Sequence, residues 1–243
     1  MLELYFIRHG QSDNNVIAIE NDAEYLSQRF IDPELTPIGE EQAQVVGETL
    51  AQPFTEGVYN PHNRFGFGLT HLYCSLMIRA VSTGTAISEK TNVPLVAWPE
   101  LHETGGLFDV KMVYGEPFLT GKSGPSRSYF ESRFPNLILP DELTEDGWYN
   151  RDKETREHYF KRGQAIVDRI LAEHGGTNHR IGFVMHAGIF AYIFTAFFQV
   201  KAENYWVSSH NCSINRIDVL PEGRVQLRYS NKVDYFPDHL ITR

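Results

Sequence analysis

Four short apolar segments, each followed at once by polar or charged residues, recur along the sequence. They cover residues 2–7, 69–74, 94–98 and 180–185. Short apolar runs that stop at turn-forming residues are typical of strands that are buried on both faces of a parallel sheet. Apolar residues at three- and four-residue spacing predict helices between and after these strands, over residues 37–52, 78–90, 152–174 and 187–198.

The last part of the sequence has a different pattern. Residues 213–220 and 225–230 predict two further strands, and residues 221–223 (PEG) predict the turn that joins them. We expect this pair to form an antiparallel hairpin at the edge of the sheet. The alternation of strands and helices before it predicts an α/β fold with a mostly parallel central sheet.

Three stretches show neither the residue spacing of a helix nor the pattern of a strand. Residues 16–35 predict an irregular or partly helical segment, and residues 53–68 predict a surface loop because they are rich in glycine, proline and aromatic residues. Residues 107–150 are too long for an ordinary connection, and they predict an insertion on the substrate side of the domain. We expect substrate specificity to come from residues 53–68 and 104–150.

The overall composition limits the class of protein. A length of 243 residues with 42% hydrophobic residues fits a single domain, residues 1–243, with a sizeable core. The formal net charge of −9 argues against a nucleic-acid partner. The sequence has no apolar run long enough for a membrane span, no recognisable signal peptide and only two cysteines. We therefore expect a cytoplasmic protein without a membrane partner, and the sequence leaves a homo-oligomer open.

Reactive side chains follow each of the four predicted parallel strands. In chain order they are Arg8, His9 and Gly10, then Ser75 and Arg79, then Glu103, and finally His186 and Gly188. Because parallel strands end at one edge of a sheet, we expect these residues to converge there. His186 and Gly188 also stand at the start of a predicted helix, where backbone amides favour contact with an anion.

This set of side chains suits phosphoryl transfer without a metal ion or a cofactor. The guanidiniums of Arg8 and Arg79, together with a protonated His186, would neutralise the phosphate oxygens, a task that Mg²⁺ performs in many enzymes. His9 would attack phosphorus as a neutral imidazole and form a phosphohistidine. Glu103 would give a proton to the leaving oxygen and then take one from water.

Six blocks of residues resemble the motifs of the histidine phosphatase superfamily, in its phosphoglycerate mutase-like branch, and they occur in the order found in that family. They are residues 8–15 (RHGQSDNN), 35–39 (LTPIG) with 42–43 (QA), 74–80 (CSLMIRA) with Thr83, 101–103 (LHE), 185–188 (MHAG) and 211–214 (NCSI). Each block is weak or moderate evidence alone, but six blocks in order form a specific pattern.

The resemblance implies a three-layer α/β/α sandwich and a phosphohistidine mechanism that needs no metal. It implies His9 as the nucleophile, and it assigns the phosphate pocket to Arg8, Arg79 and His186. It also implies that Asn15 lies near the phosphate and that Glu103 is the proton donor. The longer motif that the mutases carry after their catalytic glutamate is not recognisable in residues 104–150. The sequence therefore favours a phosphatase that hydrolyses a small phosphate monoester.

Two other functions remain open at this stage. One is a phosphoglycerate mutase-type enzyme, which would share the pocket but protect the phosphoenzyme from water. The other is a non-catalytic module that binds a phosphorylated ligand. Among the acids, Glu100 and Asp109 are rivals of Glu103 for the role of proton donor.

The remaining basic residues are assigned no role. Lys122, Arg127 and Arg133, in the insertion, are interpreted as solvated charges, with a smaller chance of touching substrate. His210 precedes the last motif block and is a weak candidate for the pocket. The other histidines have no spacing that suggests a metal site; these are residues 62, 71, 102, 158, 174, 179 and 239.

Overall fold

A six-stranded sheet forms the centre of the protein in the computed structural model, which describes residues 1–20, 25–114, 116–200 and 207–243. Eight strands occur in the described ranges: β1 (Leu2–Arg8), β2 (His71–Cys74), β3 (Leu95–Ala97), β4 (Phe108–Val113), β5 (Glu116–Gly121), β6 (Arg180–Met185), β7 (Ile214–Val219) and β8 (Val225–Lys232). The sheet has the order β3-β2-β6-β1-β7-β8, and β4 pairs only with β5.

The strand directions confirm a mostly parallel sheet with an antiparallel edge. β6 lies parallel to both β1 and β2, and β3 lies parallel to β2. β7 runs antiparallel to β1, and β8 runs antiparallel to β7. The four parallel strands β1, β2, β3 and β6 therefore deliver their carboxyl ends to one edge of the sheet.

Helices cover both faces of this sheet, which confirms the three-layer α/β/α arrangement. Within the described ranges they are α1 (Asp13–Glu20), α2 (Tyr25–Gln28), α3 (Pro37–Leu50), α4 (Ile78–Thr91), α5 (Arg127–Arg133), α6 (Arg156–His174) and α7 (Ala187–Phe198). Alternate residues of β1 point to opposite faces. Tyr5 and Ile7 pack with α3 and α4 on one face, whereas Leu4 and Phe6 pack with α6 and α7 on the other.

The helix boundaries follow from local capping. The hydroxyl of Thr36 accepts a hydrogen bond from the amide of Gly39 at 3.1 Å, and Pro37 occupies the first turn of α3, as its sequence predicts. The predicted start of α6 at residue 152 is wrong, because the helix begins at Arg156. Thr155 precedes it as the cap residue, and its backbone amide donates to Nδ1 of His158 at 3.5 Å.

The insertion contains regular structure that the sequence pattern does not reveal. β4 and β5 form an antiparallel hairpin, and α5 follows them. Residues 108–112 of β4 (FDVKM) do alternate apolar and polar residues, but this run is short, β5 (EPFLTG) shows no alternation, and neither strand has a fully buried face. Similarly, α1 and α2 form within the stretch predicted to be irregular or partly helical, of which residues 21–24 lie outside the described ranges.

The segment of residues 53–68 contains neither a helix nor a strand, as predicted. Its aromatic residue Phe67 is buried and packs edge-on against Tyr5, with the ring centroids 5.3 Å apart. None of the helices in the described ranges combines the length and the apolar character that a membrane span needs. The organisation of residues 1–243 as a single domain stays a prediction.

Candidate active site

A cavity of about 320 Å³ opens at the edge of the sheet where the parallel strands end. Six of the predicted site residues line it: Arg8, His9, Asn15, Arg79, Glu103 and Gly188. The seventh, His186, is completely buried behind the wall of the cavity, and its ring centroid lies 5.0 Å from that of His9. The fold therefore brings together side chains that follow four different strands.

His9 is held in one orientation at the end of β1. Its Nδ1 lies 2.6 Å from the carbonyl oxygen of Gly10, so Nδ1 carries the proton and Nε2 keeps its lone pair. The amide of Gly10 in turn donates to the hydroxyl of Thr83 at 3.0 Å. Burial, and then the charges of Arg79 and Arg8, hold the pKa of His9 well below its usual value. The imidazole is therefore neutral, as a nucleophile requires.

Arg79 connects the nucleophile to the carboxylate of Asp32. Its Nε–H donates to Nε2 of His9 at 3.2 Å, and Nη1 lies 3.4 Å from the carboxylate of Asp32. Arg79 is itself buried. A guanidinium in this position places positive charge beside the nitrogen that would attack, where it would also face the oxygens of a bound phosphate.

Arg8 adds a second guanidinium to the same cavity. Its Nη1 donates to the carbonyl oxygen of Ser209 at 2.6 Å, which fixes the side chain. Its Nε is buried and has no hydrogen-bond partner in the described part of the chain. Burial lowers the pKa of Arg8 to about 10, so the group stays charged at neutral pH. A buried donor without a partner is what an anion-binding position requires.

His186 is neutral in this pocket, which differs from the protonated imidazole expected from the sequence. Burial, followed by the charge of Arg79, holds the pKa of His186 well below its usual value. Its Nε2 lies 3.0 Å from the hydroxyl of Ser75, and among the described residues its Nδ1 has no partner. A dianionic phosphate would offset the repulsion by Arg79 and favour protonation.

Glu103 caps the first turn of α7 from across the cavity. Its Oε1 accepts hydrogen bonds from the amides of Thr104 at 2.7 Å and Ile189 at 3.0 Å, and its Oε2 accepts one from the amide of Gly188 at 3.2 Å. A Cβ at position 188 would lie only 2.4 Å from Oε1 of Glu103. Gly188 therefore makes room for the carboxylate, and its own contact with substrate stays a prediction.

Two asparagines hold the loop after β1 in place. The side-chain oxygen of Asn15 accepts a hydrogen bond from the amide of Ser12 at 3.0 Å. The side-chain amide of the buried Asn211 donates both to that oxygen and to the backbone carbonyl of His9, each at 3.2 Å. Asn211, which belongs to the last motif block, thus positions the nucleophile's backbone without lining the cavity.

Several residues in the cavity or next to it could not be identified from the sequence. Asp32 pairs with Arg79 and accepts hydrogen bonds from the amide of Ile78 at 3.2 and 3.3 Å. Burial outweighs the attraction of Arg79 and raises the pKa of Asp32 to about 6. Arg29 and Phe108 form the outer wall, with the guanidinium 4.0 Å from the ring centroid. The only sequence signal for Asp32, Arg29 and Phe108 was that they lie in stretches without helix or strand periodicity.

The rival candidates for the proton donor and the remaining basic candidates lie outside the cavity. Asp109 pairs with Lys122 at 3.7 Å, whereas Arg127 pairs with Glu131 and Arg133 with Glu34. His210 bonds to Asn231 on β8. Among the described residues, neither these side chains nor Glu100 line the cavity, and no residue of the segment 53–68 does so. Thr104, Gly106 and Phe108 of the stretch 104–150 do line the cavity, and the contribution of residues 53–68 to specificity stays a prediction.

The fold and the site together define an α/β protein with an anion pocket built around a pair of histidines. The family model of the histidine phosphatase superfamily (branch 1) matches residues 4–109 and 124–232. The chain belongs to this superfamily. The match omits residues 110–123, which contain most of the β4–β5 hairpin. A sequence search of curated proteins found no significant match.

Solved structures with this fold include several phosphatases. One is phosphoserine phosphatase from Entamoeba histolytica in complex with 3-phosphoglyceric acid, at 14% identity and a TM-score of 0.57, with 97% of this chain and 99% of that chain covered. Mycobacterial glucosyl-3-phosphoglycerate phosphatase has 17% identity, a TM-score of 0.55 and 95% and 99% coverage. A putative α-ribazole-5′-P phosphatase from Escherichia coli has 19% identity, a TM-score of 0.58 and 95% and 96% coverage.

These likenesses concern the fold, and membership of the superfamily rests on the family model. Together they confirm the resemblance seen in the six motif blocks. The expected class of enzyme, a phosphomonoesterase of the histidine phosphatase type, agrees with membership of this superfamily. The roles of the individual residues, the mechanism and the substrate are matters of inference from the geometry above.

Proposed function

We propose that this protein hydrolyses a small phosphate monoester, without a metal ion, through a phosphohistidine at His9. The observation that carries the proposal is the state of His9. This imidazole is neutral, its Nδ1 is tied to the carbonyl of Gly10, and its Nε2 faces the cavity beside Arg79. A fixed nucleophile with a guanidinium at its reacting atom suits attack on an anionic phosphorus centre.

The first step transfers the phosphoryl group to the enzyme. Nε2 of His9 forms a bond to phosphorus, and the bond between phosphorus and the ester oxygen breaks. Arg8 and Arg79 hold the non-bridging oxygens, and His186, protonated when the dianion binds, adds a third donor. Glu103 gives its proton to the leaving oxygen, and we assign that proton to Oε2, which accepts a single backbone hydrogen bond.

The second step returns the enzyme to its starting state. Glu103, now ionised, takes a proton from a water molecule as that water attacks phosphorus. The bond between phosphorus and Nε2 of His9 breaks, and inorganic phosphate leaves. The hydrogen bond from Nδ1 of His9 to the carbonyl of Gly10 persists through both steps. It keeps the imidazole ring from rotating away from the line of attack on phosphorus.

The substrate is proposed to be a small phosphorylated metabolite. A cavity of about 320 Å³ lies at the lower end of the range for small-molecule sites and holds a phosphate with a short organic group. The phosphatases of similar fold are named for phosphoserine, glucosyl-3-phosphoglycerate and α-ribazole 5′-phosphate, all of which are phosphate monoesters. These compounds form the natural first panel of substrates.

The test measures release of inorganic phosphate from this panel, and from p-nitrophenyl phosphate, in the presence of excess EDTA. We expect at least one substrate to be hydrolysed by the wild-type protein. We expect His9→Ala to lose at least a thousandfold in kcat/KM and to trap no phosphoenzyme. The matched control is His62→Ala, since His62 is exposed and lies in the segment 53–68, away from the cavity.

Three outcomes would count against the proposal. Activity that EDTA abolishes and Mg²⁺ restores would exclude the metal-independent mechanism. Appreciable turnover in His9→Ala would place the nucleophile elsewhere. Rapid interconversion of 2- and 3-phosphoglycerate with little phosphate release would identify a mutase instead of a phosphatase.

Two further properties belong to the proposal. We place the protein in the cytoplasm, where a reducing environment suits the two cysteines, Cys74 and Cys212, which are free and buried. We also propose that it acts without a nucleic-acid partner, given its net charge of −9. The formation of a homo-oligomer stays an open prediction.

A further inference from the structure

His174 and His179, which are close in sequence, meet the distant His71 at the edge of the sheet opposite the cavity. His71 is the first residue of β2, His174 is the last residue of α6, and His179 directly precedes β6. One ring nitrogen of each residue lies within 4.8 Å of a ring nitrogen of the other two. The sequence spacing does not suggest a metal site, but the register of β2 and β6, which places His71 opposite Ile181, brings the three rings together.

We propose that His71, His174 and His179 form a binding site for a divalent transition-metal ion, with Zn²⁺ as the reference ion. Three imidazoles are a ligand set typical of zinc, copper and nickel, whereas Mg²⁺ and Ca²⁺ prefer oxygen ligands. His174 is buried while His71 and His179 are half-buried, so solvent can reach the fourth coordination position.

The distances between the nitrogens fit a site that closes by small side-chain movements. Nδ1 of His174 lies 3.0 Å from Nδ1 of His179. Two nitrogens bound at about 2.05 Å to one tetrahedral ion are about 3.3 Å apart, so this pair needs little adjustment. The longest separation of 4.8 Å in the cluster must shorten by about 1.5 Å to reach the same tetrahedral spacing. Rotation of the half-buried rings of His71 and His179 can supply that movement.

Neighbouring groups hold the rings as metal ligands require. Nδ1 of His71 lies 2.9 Å from the hydroxyl of Thr70, which also bonds to the backbone of Arg180, so Nε2 of His71 is left as the ligand atom. Nε2 of His174 lies 3.1 Å from the hydroxyl of Tyr73, which leaves Nδ1 of His174 to face the ion. Partners on the far nitrogen are a general feature of histidines that bind metals.

The protonation state of the cluster also suits metal binding. Burial, together with the neighbouring imidazoles, lowers the pKa of both His71 and His174. Both rings are therefore neutral at pH 7, the form that binds a cation, and metal binding requires that the proton in the hydrogen bond between the Nδ1 atoms of His174 and His179 leave that position. The carboxylate of Glu173 lies 3.9 Å from Nε2 of His174, on the side away from the proposed ion.

The bound ion would act on the fold and not on the reaction. Seven residue-to-residue steps of extended chain lead from His179 to His186, a distance of about 23 Å at about 3.3 Å per step. A metal on this edge would tie the end of α6 to the starts of β2 and β6. We expect it to raise the thermal stability of the protein and to leave the reaction at the other edge unchanged.

The experiment uses the full-length, untagged protein after removal of metals with a chelator. Zn²⁺ binding is measured by isothermal titration calorimetry, and thermal unfolding is followed with and without Zn²⁺, with Mg²⁺ as the comparison ion. We expect one Zn²⁺ per chain, a rise in Tm with Zn²⁺ and no effect of Mg²⁺. His71→Gln and His179→Gln should each weaken binding at least tenfold, while His62→Gln should bind as the wild type does.

Two further measurements locate the ion. The His9→Ala variant removes the other histidine pair as a binding site, and we expect it to keep the full affinity for Zn²⁺. Electron paramagnetic resonance of the Cu²⁺-loaded protein should show hyperfine coupling to imidazole nitrogens, which His179→Gln reduces. The proposal is overturned if no Zn²⁺ binds, if His71→Gln and His179→Gln bind as the wild type does, or if His9→Ala abolishes binding. A variant that fails to fold is replaced by the corresponding asparagine substitution.

Discussion

The Nε–H of Arg79 donates a hydrogen bond to Nε2 of His9 across 3.2 Å, so one guanidinium both orients the nucleophile and stands where the phosphate oxygens would bind. We predict that Arg79→Gln lowers kcat/KM about 10²- to 10³-fold, the usual cost of removing one group that stabilises developing negative charge. Arg79→Lys should recover little of this loss, because a single ammonium cannot present the planar pair of N–H donors that binds two phosphate oxygens. Steady-state kinetics on the best substrate checks both variants. Recovery of nearly full activity by lysine would show that charge alone is needed.

We predict that a larger residue at position 188 displaces the carboxylate of Glu103. An added methyl group at position 188 would lie 2.4 Å from Oε1 of Glu103, so Gly188→Ala should push the carboxylate off the end of α7. We expect kcat to fall about a hundredfold, in line with the loss of a general acid, and a stability loss of about 1–3 kcal/mol from overpacking. Glu103→Gln alone should have a similar effect on kcat. A double-mutant cycle checks the link, since the two losses should not add if they act through the same group. Additive losses would separate the two residues.

The sequence predicted that most residues of the candidate site lie close together, because the parallel strands of the sheet end at one edge. Arg8, His9, Glu103 and His186 follow strands that end at one edge, so knowledge of the strands was enough to expect convergence. Asp32 shows the limit of this reasoning. It lies in an irregular stretch, and no local pattern indicates that the chain returns there to contact Arg79.

The other features that could not be predicted from the sequence have a common physical cause. They depend on contacts between residues that are far apart in the sequence. The residues of the β4–β5 hairpin are exposed or half-buried, so neither strand has the buried apolar face by which a single sequence reveals a strand. In the cluster of three histidines, about a hundred residues of sequence separate His71 from His174. Only the pairing of β2 with β6 brings His71 next to the other two. The spacing of residues in the sequence indicates which side chains share a face of one helix or strand. It does not indicate which residues lie side by side on two paired strands.

Asp32 leads to a prediction about stability and pH. Its pKa is raised from 3.8 to about 6 in the folded protein, so between about pH 4 and pH 6 the folded state binds more protons than the unfolded state. The contribution of Asp32 to the free energy of unfolding is therefore greatest near pH 4 and is lost as the pH rises to 6. The shift corresponds to about 3 kcal/mol at about 1.4 kcal/mol for each pH unit.

The measurement compares urea unfolding of the wild type and of Asp32→Asn at pH 4, 5, 6 and 7. We expect the stability of the wild type relative to Asp32→Asn to fall across this range and then to level off above pH 6. Asparagine keeps the shape of the side chain but cannot ionise, so it isolates the titration. A difference between the two proteins that is constant with pH would show that Asp32 does not titrate in this window.

Arg29 leads to a prediction about substrate preference. Its Nη1 donates to the carbonyl oxygen of Phe108 at 2.6 Å, its guanidinium lies over the Phe108 ring, and in the described part of the chain its Nε has no hydrogen-bond partner. This places a fixed positive charge on the outer wall of the cavity, beyond the groups that would hold the phosphate. A substrate with a second negative charge, such as a carboxylate close to the phosphate, would be attracted to it.

We therefore expect Arg29→Gln to raise KM about tenfold for a phosphate monoester that carries a carboxylate, a change equivalent to about 1.4 kcal/mol. For p-nitrophenyl phosphate, which lacks a second charge, KM should change less than about threefold, and kcat should be retained for both because His9 and Arg79 are untouched. The matched control is Arg64→Gln, which removes an exposed arginine outside the cavity. An equal change in KM for both substrates would show that Arg29 contributes only to the general field of the cavity, and a large loss of kcat would show that it supports the catalytic groups instead.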